Sequence, residues 1–203
     1  MIVKVSSYPL VESFHSVQGE GSWMGTSAFF LRLAGCDVHC PWCDTKESWV
    51  AARHPQVPIL TMVEQIRLAH PGIVIITGGE PLIHDLEPLT DCLKQNLSIP
   101  IHLETSGAHP LSGKWDWITL SPKTFLPPQP EIYSRVHELK VVIKDVADLD
   151  WAIAQAQLVS PRVPKFLQPE WYSSAAQNLV FNFILEHPDW RLSLQTHKLL
   201  GVR

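Results

Sequence analysis

The sequence predicts an α/β fold, a partial parallel βα barrel of about six strands with several helices missing or reduced. Two observations predict this fold. Short apolar segments bounded by turn residues recur along the chain, and such segments are typical of buried strands in a parallel sheet. Groups of chemically versatile residues stand just after several of these segments, and βα barrels place their sites at the C-terminal ends of the strands.

The composition limits the class of protein. The 203 residues most simply form one domain, residues 1–203, and the apolar fraction of 45% is typical of a globular chain. The net charge is −4 and no run of basic residues occurs, which argues against nucleic-acid binding. No apolar run approaches the ~18 residues of a membrane span, and the N-terminus lacks the apolar region of a signal peptide. We therefore expect a cytoplasmic protein with no membrane partner.

The first half of the chain predicts four elements. Residues 2–14 are expected to form an edge strand or a hairpin, and residues 28–33 form the first strand of the barrel. A helix over 61–70 is expected to begin at a capping box, Thr-x-x-Glu, and to end at His-Pro-Gly. The continuous apolar segment 73–76 is typical of a strand buried on both faces.

The second half continues the alternation but with few helices. A helix is expected after Asp85, with three leucines on one face. Further elements follow from the same patterns: strands at 99–103, 117–120, 139–143 and 166–167, and helices at 148–158 and 173–186. The connections on either side of strand 117–120 contain prolines and glycines and no clear amphipathic helix. The barrel is therefore expected to lack helices there.

Three of the four cysteines lie in one short motif, Cys36-x3-Cys40-x2-Cys43. Three thiolates in so short a loop can bind one small inorganic centre. A four-iron cluster takes four ligands, so three cysteines would leave one iron open to a substrate or cofactor. A Cys3His zinc site with His39 stays possible, although zinc ligands usually come in two separated pairs. Cys92 stands in a helical pattern and is expected to be a small buried apolar residue.

The motif, with Trp42 just before its last cysteine, resembles the signature of the radical S-adenosylmethionine (SAM) superfamily. In that superfamily the methionine part of SAM chelates the open iron of a [4Fe–4S] cluster. Matches from about residue 12 to residue 198 resemble the 7-carboxy-7-deazaguanine synthase family more narrowly. They are Ser16-Val-Gln-Gly-Glu-Gly21, Phe30-Leu-Arg-Leu-Ala-Gly-Cys36, Cys43-Asp-Thr-Lys-Glu-Ser-Trp49, Thr77-Gly-Gly-Glu-Pro81, Glu104-Thr-Ser-Gly107, Ser121-Pro-Lys123 and Leu194-Gln-Thr-His-Lys198.

The resemblance implies a partial barrel of the radical SAM type and a specific reaction. A 5′-deoxyadenosyl radical made from SAM would take hydrogen from C6 of 6-carboxy-5,6,7,8-tetrahydropterin. The ring would then contract with loss of ammonia, giving 7-carboxy-7-deazaguanine for the synthesis of queuosine and related 7-deazapurines. The partners implied are a second copy of the chain, in a homodimer, and a flavodoxin-type electron donor.

Two other functions stay open. The first is an activating enzyme that makes a glycyl radical on a partner protein, and the second is a non-catalytic zinc or electron-transfer protein. The family matches at Arg32, Thr45 and the Gln-Gly-Glu segment argue against the first. The second would not need the Gly-Gly-Glu and Ser-Pro-Lys loops at the strand ends.

The resemblance also implies how SAM is bound. Backbone groups at Gly79 and the carboxylate of Glu80 would contact its ammonium, while Thr105 and Ser106 would lie against it. The remaining residues expected to bind SAM are Ser121, Pro122, Lys123 and Gln168. On their own, paired glycines are common in strand-to-helix turns, and Ser-Pro-Lys is an ordinary turn. The segment Gln168-Pro-Glu-Trp171 departs in composition from the family pattern.

Substrate contacts are implied for eight residues: Val17, Gln18, Gly19, Arg32, Thr77, Glu104, His197 and Arg203. The planar guanidinium of Arg32 suits a carboxylated substrate, although a lone strand arginine is usually solvated. The carboxylate of Glu104 suits two adjacent N–H groups of a pterin, although it could instead cap a surface strand. His197 lies in a strand-like ending that could simply cover the barrel.

Thr45 is the implied ligand of Mg²⁺, a hard ion that takes oxygen ligands and keeps several waters. Without the resemblance, Asp44-Thr45 after the last cysteine could be a simple cap. The three cysteines and Thr45 are thus the metal-binding residues that the sequence predicts, and the expected cofactors are a [4Fe–4S] cluster, SAM and Mg²⁺.

Overall fold

The strands form one nine-stranded sheet in the computed structural model, which describes residues 7–203. In chain order the strands are β1 (Ser7–Val17), β2 (Ser27–Leu33), β3 (Gln56–Pro58), β4 (Ile73–Gly78), β5 (Ile101–Thr105), β6 (Trp117–Leu120), β7 (Glu138–Ile143), β8 (Lys165–Pro169) and β9 (Trp190–Leu192). The order across the sheet is β3-β1-β2-β4-β5-β6-β7-β8-β9. Strands β2 and β4 to β9 run parallel, and β1 pairs antiparallel with both β2 and β3.

The α-helices of the described residues are α1 (Ile59–Ala69), α2 (Glu87–Asn96), α3 (Val146–Ala156), α4 (Ser174–Glu186) and α5 (Thr196–Leu200). The connections from β5 to β6 and from β6 to β7 contain no α-helix within residues 7–203, only a 3-10 turn at Pro130–Ser134. The predicted partial barrel with missing helices is therefore confirmed. None of the helices described is long and apolar enough to cross a membrane.

Most predicted elements are present, whereas strands β3 and β9 and helix α5 were not predicted. Strand β5 begins and ends two residues later than the predicted 99–103, so Glu104 lies inside it. Helix α1 begins at Ile59 with Pro58 as its N-cap, so the predicted capping box at Thr61 is wrong. Strand β1 confirms the edge strand over its described part, whereas residues 2–6 of that prediction lie outside the described residues.

Alternating residues of each strand face two different environments. Along β4, Val74 and Ile76 pack into the large core between the sheet and the helices, while Ile73 and Ile75 pack inside the barrel with Ala28. The barrel interior is apolar at this end of the strands. Towards the carboxyl ends the interior-facing residues become polar, and this change places the chemistry at the expected end of the barrel.

Candidate active site

The cysteine loop follows β2 and is fixed at both ends by backbone hydrogen bonds. Gly35 N donates to Ser48 O at 2.7 Å, Cys36 N donates to Trp49 O at 3.1 Å, and Cys43 N donates to Cys40 O at 3.0 Å. All four cysteines of the chain are free thiols and partly buried. Burial raises the pKa of Cys36 and of Cys40. The loop therefore holds three half-buried thiols on a fixed base.

The arrangement of the loop suits a cluster better than zinc. His39 is exposed, has a left-handed backbone (φ 50°), and its ring packs on Trp49 with centroids 4.5 Å apart. Within residues 7–203, no three His, Cys, Asp or Glu side chains are arranged to hold one metal ion. In a cluster each thiolate binds a different iron, so the sulfur atoms need not converge on a single ion. The residues present thus fit a [4Fe–4S] cluster, and His39 is not placed as a fourth ligand.

The cysteines open into a cavity of about 590 Å³ at the carboxyl ends of the strands. The predicted cofactor-binding residues that line it lie at or just after the carboxyl ends of β4, β5, β6 and β8: Gly79, Glu80, Thr105, Ser106, Ser121, Lys123 and Gln168. Pro122, between two of them, is buried and is not part of the lining. The expectation that these separate loops meet in one cavity is confirmed.

Glu80 joins two of these loops. Its side chain is buried, and its carboxylate accepts hydrogen bonds from Thr105 Oγ1 at 2.5 Å, Ser106 N at 2.7 Å, Ser106 Oγ at 2.5 Å and Leu82 N at 3.1 Å. A buried carboxylate needs such partners because an unpaired one is costly. Glu80 thus fixes the loops after β4 and β5 to each other, and its contact with a SAM ammonium remains a prediction.

Gly79 allows the loop after β4 to lie directly on the cysteine loop. Gly79 N donates to Leu33 O at 3.0 Å, and Glu80 N donates to Gly35 O at 2.9 Å. A Cβ atom at residue 79 would collide with the carbonyl oxygen of Gly35 and would lie 2.7 Å from Cys36 Cβ. Glycine is therefore required here for close backbone approach, as the sequence pattern suggested.

A second cavity, of about 320 Å³, adjoins the first. The predicted substrate-binding residues that line it are Val17, Gln18, Arg32, Thr77, Glu104, His197 and Arg203, together with the predicted metal ligand Thr45. Gly19 is buried and does not line it. Both cavities are bounded by Cys43, Thr77 and Glu104. A ligand in the second cavity would therefore lie beside the cysteine loop.

Arg32 has a partner that the sequence did not reveal. Its Nε donates to Glu12 Oε1 at 2.9 Å, from the antiparallel neighbour β1, and Arg203 also pairs with Glu12. The side chain of Arg32 is 22% exposed, so it is neither fully solvated nor free. An incoming carboxylate would join this group of two arginines and one glutamate.

The C-terminal segment is helical where a covering strand was considered possible. Helix α5 ends at Gly201, which has a left-handed backbone (φ 66°), so that part of the expectation is wrong. Thr196 N and Thr196 Oγ1 donate to Gly19 O at 3.0 and 2.9 Å, and the His197 ring packs against Gly19 with no room for a Cβ. Burial lowers the pKa of His197. The segment thus crosses from β9 to the end of β1 and encloses the second cavity.

Thr45 is buried at the base of this cavity, next to the carboxylate of Asp44. Its Oγ1 lies 3.2 Å from Asp44 Oδ1, and Lys198 pairs with Asp44 Oδ2 at 3.0 Å. Partial burial raises the pKa of Asp44, but the hydrogen bond and charge of Lys198, with the Thr45 hydroxyl and the charge of Arg32, together outweigh it and the net pKa is lowered. A hydroxyl and an ionised carboxylate are donors that suit Mg²⁺. These residues fit the implied ion.

Lys140 is the main functional candidate that the sequence did not reveal. It lies on β7, is buried, and pairs with Glu20 and, at 3.0 Å, with Glu104. Gln18 Nε2 donates to Glu104 Oε1 at 3.0 Å, so the group joins three strand ends. The sequence did contain one indication of this residue. In the segment Glu138-Leu-Lys140 two charged residues flank an apolar one at the start of an otherwise apolar strand.

Comparison with known proteins supports a common origin over nearly the whole chain. The sequence pattern of the radical SAM superfamily matches residues 31–147. The chain is 56% identical over 197 residues to 7-carboxy-7-deazaguanine synthase of Synechocystis sp., covering 97% of this chain and 94% of that protein. It is 35% identical over 223 residues to the Escherichia coli K12 protein of that name, covering 96% and 99%. The crystal structure of QueE from Escherichia coli superimposes with a TM-score of 0.82 at 31% identity, covering 93% and 94%.

Proposed function

The chain belongs to the radical SAM enzymes and, within them, to the 7-carboxy-7-deazaguanine synthase family, and we propose that it catalyses the family reaction. This is the Mg²⁺-assisted contraction of 6-carboxy-5,6,7,8-tetrahydropterin to 7-carboxy-7-deazaguanine with release of ammonia. The observation that carries the proposal is the pair of adjoining cavities. One contains the three thiols, the other contains the expected substrate residues, and Cys43 and Thr77 border both.

When bound, the cluster and SAM would supply the 5′-deoxyadenosyl radical that removes hydrogen from the substrate. The protein's own residues would position the two reactants. Cys36, Cys40 and Cys43 would hold the cluster, and Gly79 with Ser106 would hold SAM in the larger cavity. The C-terminal helix would exclude water from the smaller one.

The substrate would be held at both ends in the smaller cavity. Glu104 would accept hydrogen bonds from the N–H groups of the pterin, and Arg32 would bind the carboxylate at the other end. Thr45 and Asp44 would bind Mg²⁺ beside that carboxylate. The cavity of about 320 Å³ suits a small molecule better than a protein segment, which argues against a glycyl-radical activating enzyme.

Three further features belong to the proposal. Residues 1–203 would form a single radical SAM domain, supported by the one sheet that contains every strand of residues 7–203. The active form would be a homodimer served by a flavodoxin-type electron donor, as the family resemblance implies. The free cysteines support a reducing, cytoplasmic location.

Anaerobic turnover tests the function directly. The cluster-loaded protein is incubated with SAM, a strong reductant and 6-carboxy-5,6,7,8-tetrahydropterin, and the products are separated by chromatography. We expect 7-carboxy-7-deazaguanine and ammonia in equal amounts, with SAM recovered. Cleavage of SAM without conversion of the pterin would show a radical SAM enzyme with a different substrate.

We expect alanine at Arg32 or at Glu104 to weaken binding of the pterin by about 2–5 kcal/mol each, as when one partner of a buried charged pair is lost. Iron content and SAM affinity should stay nearly unchanged, because Arg32 lines only the smaller cavity and Glu104 lies on the wall that the two cavities share, with no contact to the cysteines. Calorimetric titration of each variant with the pterin, with and without SAM, measures this. Normal pterin affinity in either variant would remove that residue from the substrate site.

We expect Thr45→Val to keep the cluster and SAM but to lose most of the stimulation of turnover by Mg²⁺. Valine has the shape of threonine without the hydroxyl, so one oxygen donor of the proposed ion site is removed. The rate is measured against Mg²⁺ concentration for both proteins, anaerobically and with chelator controls. Thr196→Val is a control for the loss of a hydroxyl, since Thr196 Oγ1 contacts Gly19 outside the proposed ion site. An unaltered Mg²⁺ response in Thr45→Val would contradict the assignment.

A further inference from the structure

One lysine and three glutamates are buried together inside the barrel. Lys140 and Glu138 lie on β7, Glu104 lies on β5, and Glu20 lies in the turn after β1. The side chains of Lys140, Glu20 and Glu104 are 5%, 14% and 19% exposed. Buried charges are stable only when they are paired and hydrogen-bonded, so each charge of this group needs a partner among its neighbours.

The ammonium of Lys140 pairs with two of these carboxylates, those of Glu20 and Glu104. It pairs with Glu20 and lies 3.0 Å from Glu104 Oε2, whereas Glu138 Oε2 accepts a hydrogen bond from Ser22 N at 2.8 Å. The other charged or titratable groups facing Glu104 and Glu20 are Lys123, after β6, and His197, on α5. Lys123 donates instead to Ser121, at 2.6 Å to both its oxygens. Glu104 and Glu20 thus depend on Lys140 as their one direct cationic partner among the described residues.

The pKa directions agree with this dependence. Burial raises the pKa of Glu104, Lys140 opposes that rise, repulsion from Glu20 and Glu138 adds to it, and the net pKa is raised. Burial also raises the pKa of Glu20, but there Lys140, together with Gln195 and His197, outweighs burial and the net pKa is lowered. Two carboxylates so close together do not both ionise without a compensating cation. Loss of the ammonium would therefore leave a proton on one of them.

The two carboxylates differ in how much acceptor capacity they have left. Glu20 Oε1 accepts from Gln168 Nε2 at 3.2 Å and from Gln195 Nε2 at 2.9 Å, and Oε2 accepts from Lys140. Glu104 accepts one hydrogen bond at each oxygen, from Gln18 and from Lys140. A carboxylate has about four lone-pair sites, so each oxygen of Glu104 can accept one more. Glu104 is therefore the carboxylate able to receive two neighbouring N–H donors of a ligand.

We propose that Lys140 is a positioning residue that keeps Glu104 ionised beside Glu20, so that Glu104 meets a ligand as a pure acceptor. The choice of an aminopterin as that ligand rests on the function proposed above. A protonated Glu104 would point an O–H at a ligand N–H and lose one of the two hydrogen bonds. Selection of a ligand edge with two adjacent N–H donors would then depend on a lysine that lines the larger cavity and whose own hydrogen bonds go to Glu20 and Glu104.

The test is Lys140→Met in the cluster-loaded protein, with the unreactive analogue 6-carboxypterin as the probe. Dissociation constants are measured anaerobically from about pH 5.5 to about pH 7.5 and expressed relative to the wild type, which removes the titration of the probe itself. Burial already raises the pKa of Glu104, and loss of Lys140 would raise it further, so the acceptor form of the variant is lost at low pH and returns as the pH rises. At about pH 5.5 we expect Lys140→Met to bind the probe about tenfold more weakly than the wild type, or more weakly still. The ratio of the two dissociation constants should fall by up to about tenfold per pH unit as the pH rises.

Two further variants separate charge from packing. Lys140→Met combined with Glu20→Gln removes one charge of each sign, so Glu104 no longer has an ionised neighbour at that position. We expect this double variant to fold even where the single variant does not, and to recover most of the affinity. Lys165→Met is the matched control, because Lys165 on β8 pairs with Asp189 at the surface. A loss that is independent of pH, and that the double variant does not relieve, would overturn the proposal.

Failure of the wild type to bind the probe would count against the proposed function and not against the role of Lys140. A measurement without any ligand tests the role of Lys140 in that case. Infrared spectra should show the carbonyl band of a protonated carboxylic acid in Lys140→Met near neutral pH and not in the wild type. Adding Glu104→Gln should remove the band if Glu104 holds the proton. Absence of the band in a folded Lys140→Met protein would overturn the assignment of Lys140.

Discussion

Alanine at Cys36, Cys40 or Cys43 is expected to remove the bound iron and to abolish cleavage of SAM. The three thiols lie in one loop and open into one cavity, and the chain supplies no fourth ligand in this loop. With only two thiolates left, the cluster would lose one of its three protein bonds to iron. Iron and sulfide content, the visible absorption and the formation of methionine from SAM measure the result under anaerobic conditions.

Cys92→Ala is the control for these variants. Cys92 lies on α2, packs at the edge of the main core, and receives a long contact from Asn96 Nδ2 at 3.6 Å. Its loss should cost about 1 kcal/mol of stability and leave iron content unchanged. Retention of a complete cluster in Cys40→Ala, together with its loss in Cys92→Ala, would contradict the assignment of Cys36, Cys40 and Cys43 as its ligands.

The sequence predicts the barrel well because its strands are buried on both faces. Segments such as 73–76 must then be apolar at every position, and that signal does not depend on the rest of the fold. The strands that were missed, β3 and β9, have three residues each, and most of their positions are not buried. Their place at the edges of the sheet is decided by tertiary packing, which local sequence does not encode.

The site was predictable where chemistry demands particular residue types at fixed spacing. The cysteine loop and the glycines at 78 and 79 belong to this class. Lys140 does not, because its role depends on Glu20 and Glu104, which are 120 and 36 residues away in the sequence. Glu12 escaped notice for the same reason, since its meaning appears only when β1 pairs with β2 and places it beside Arg32. Charge pairs across a barrel are set by topology, so single-chain patterns do not reveal them.

Gly79→Ala is expected to displace the cysteine loop in addition to the backbone that would contact SAM. The added methyl group would collide with the carbonyl oxygen of Gly35, which is backbone and has little room to move. Gly35 itself is held by its hydrogen bond to Ser48 O at 2.7 Å, so relief would have to separate the β4 loop from the cysteine loop. Overpacking of this kind typically costs about 1–3 kcal/mol, and a collision of a methyl group with the backbone of a neighbouring loop lies at the upper end.

The predicted consequences are a lower denaturation midpoint, incomplete iron content and SAM affinity reduced by about tenfold or more, because the backbone beside Cys36 would shift. Gly25→Ala is the matched control. Gly25, unlike Gly79, has a backbone unfavourable for alanine (φ 86°), but nothing lies within 4 Å of the added atom. It should therefore show only the strain of a left-handed residue, about 1–2 kcal/mol, with normal iron and SAM binding. Equal SAM affinities of Gly79→Ala and Gly25→Ala would contradict the role of close packing at Gly79 in shaping the cofactor site.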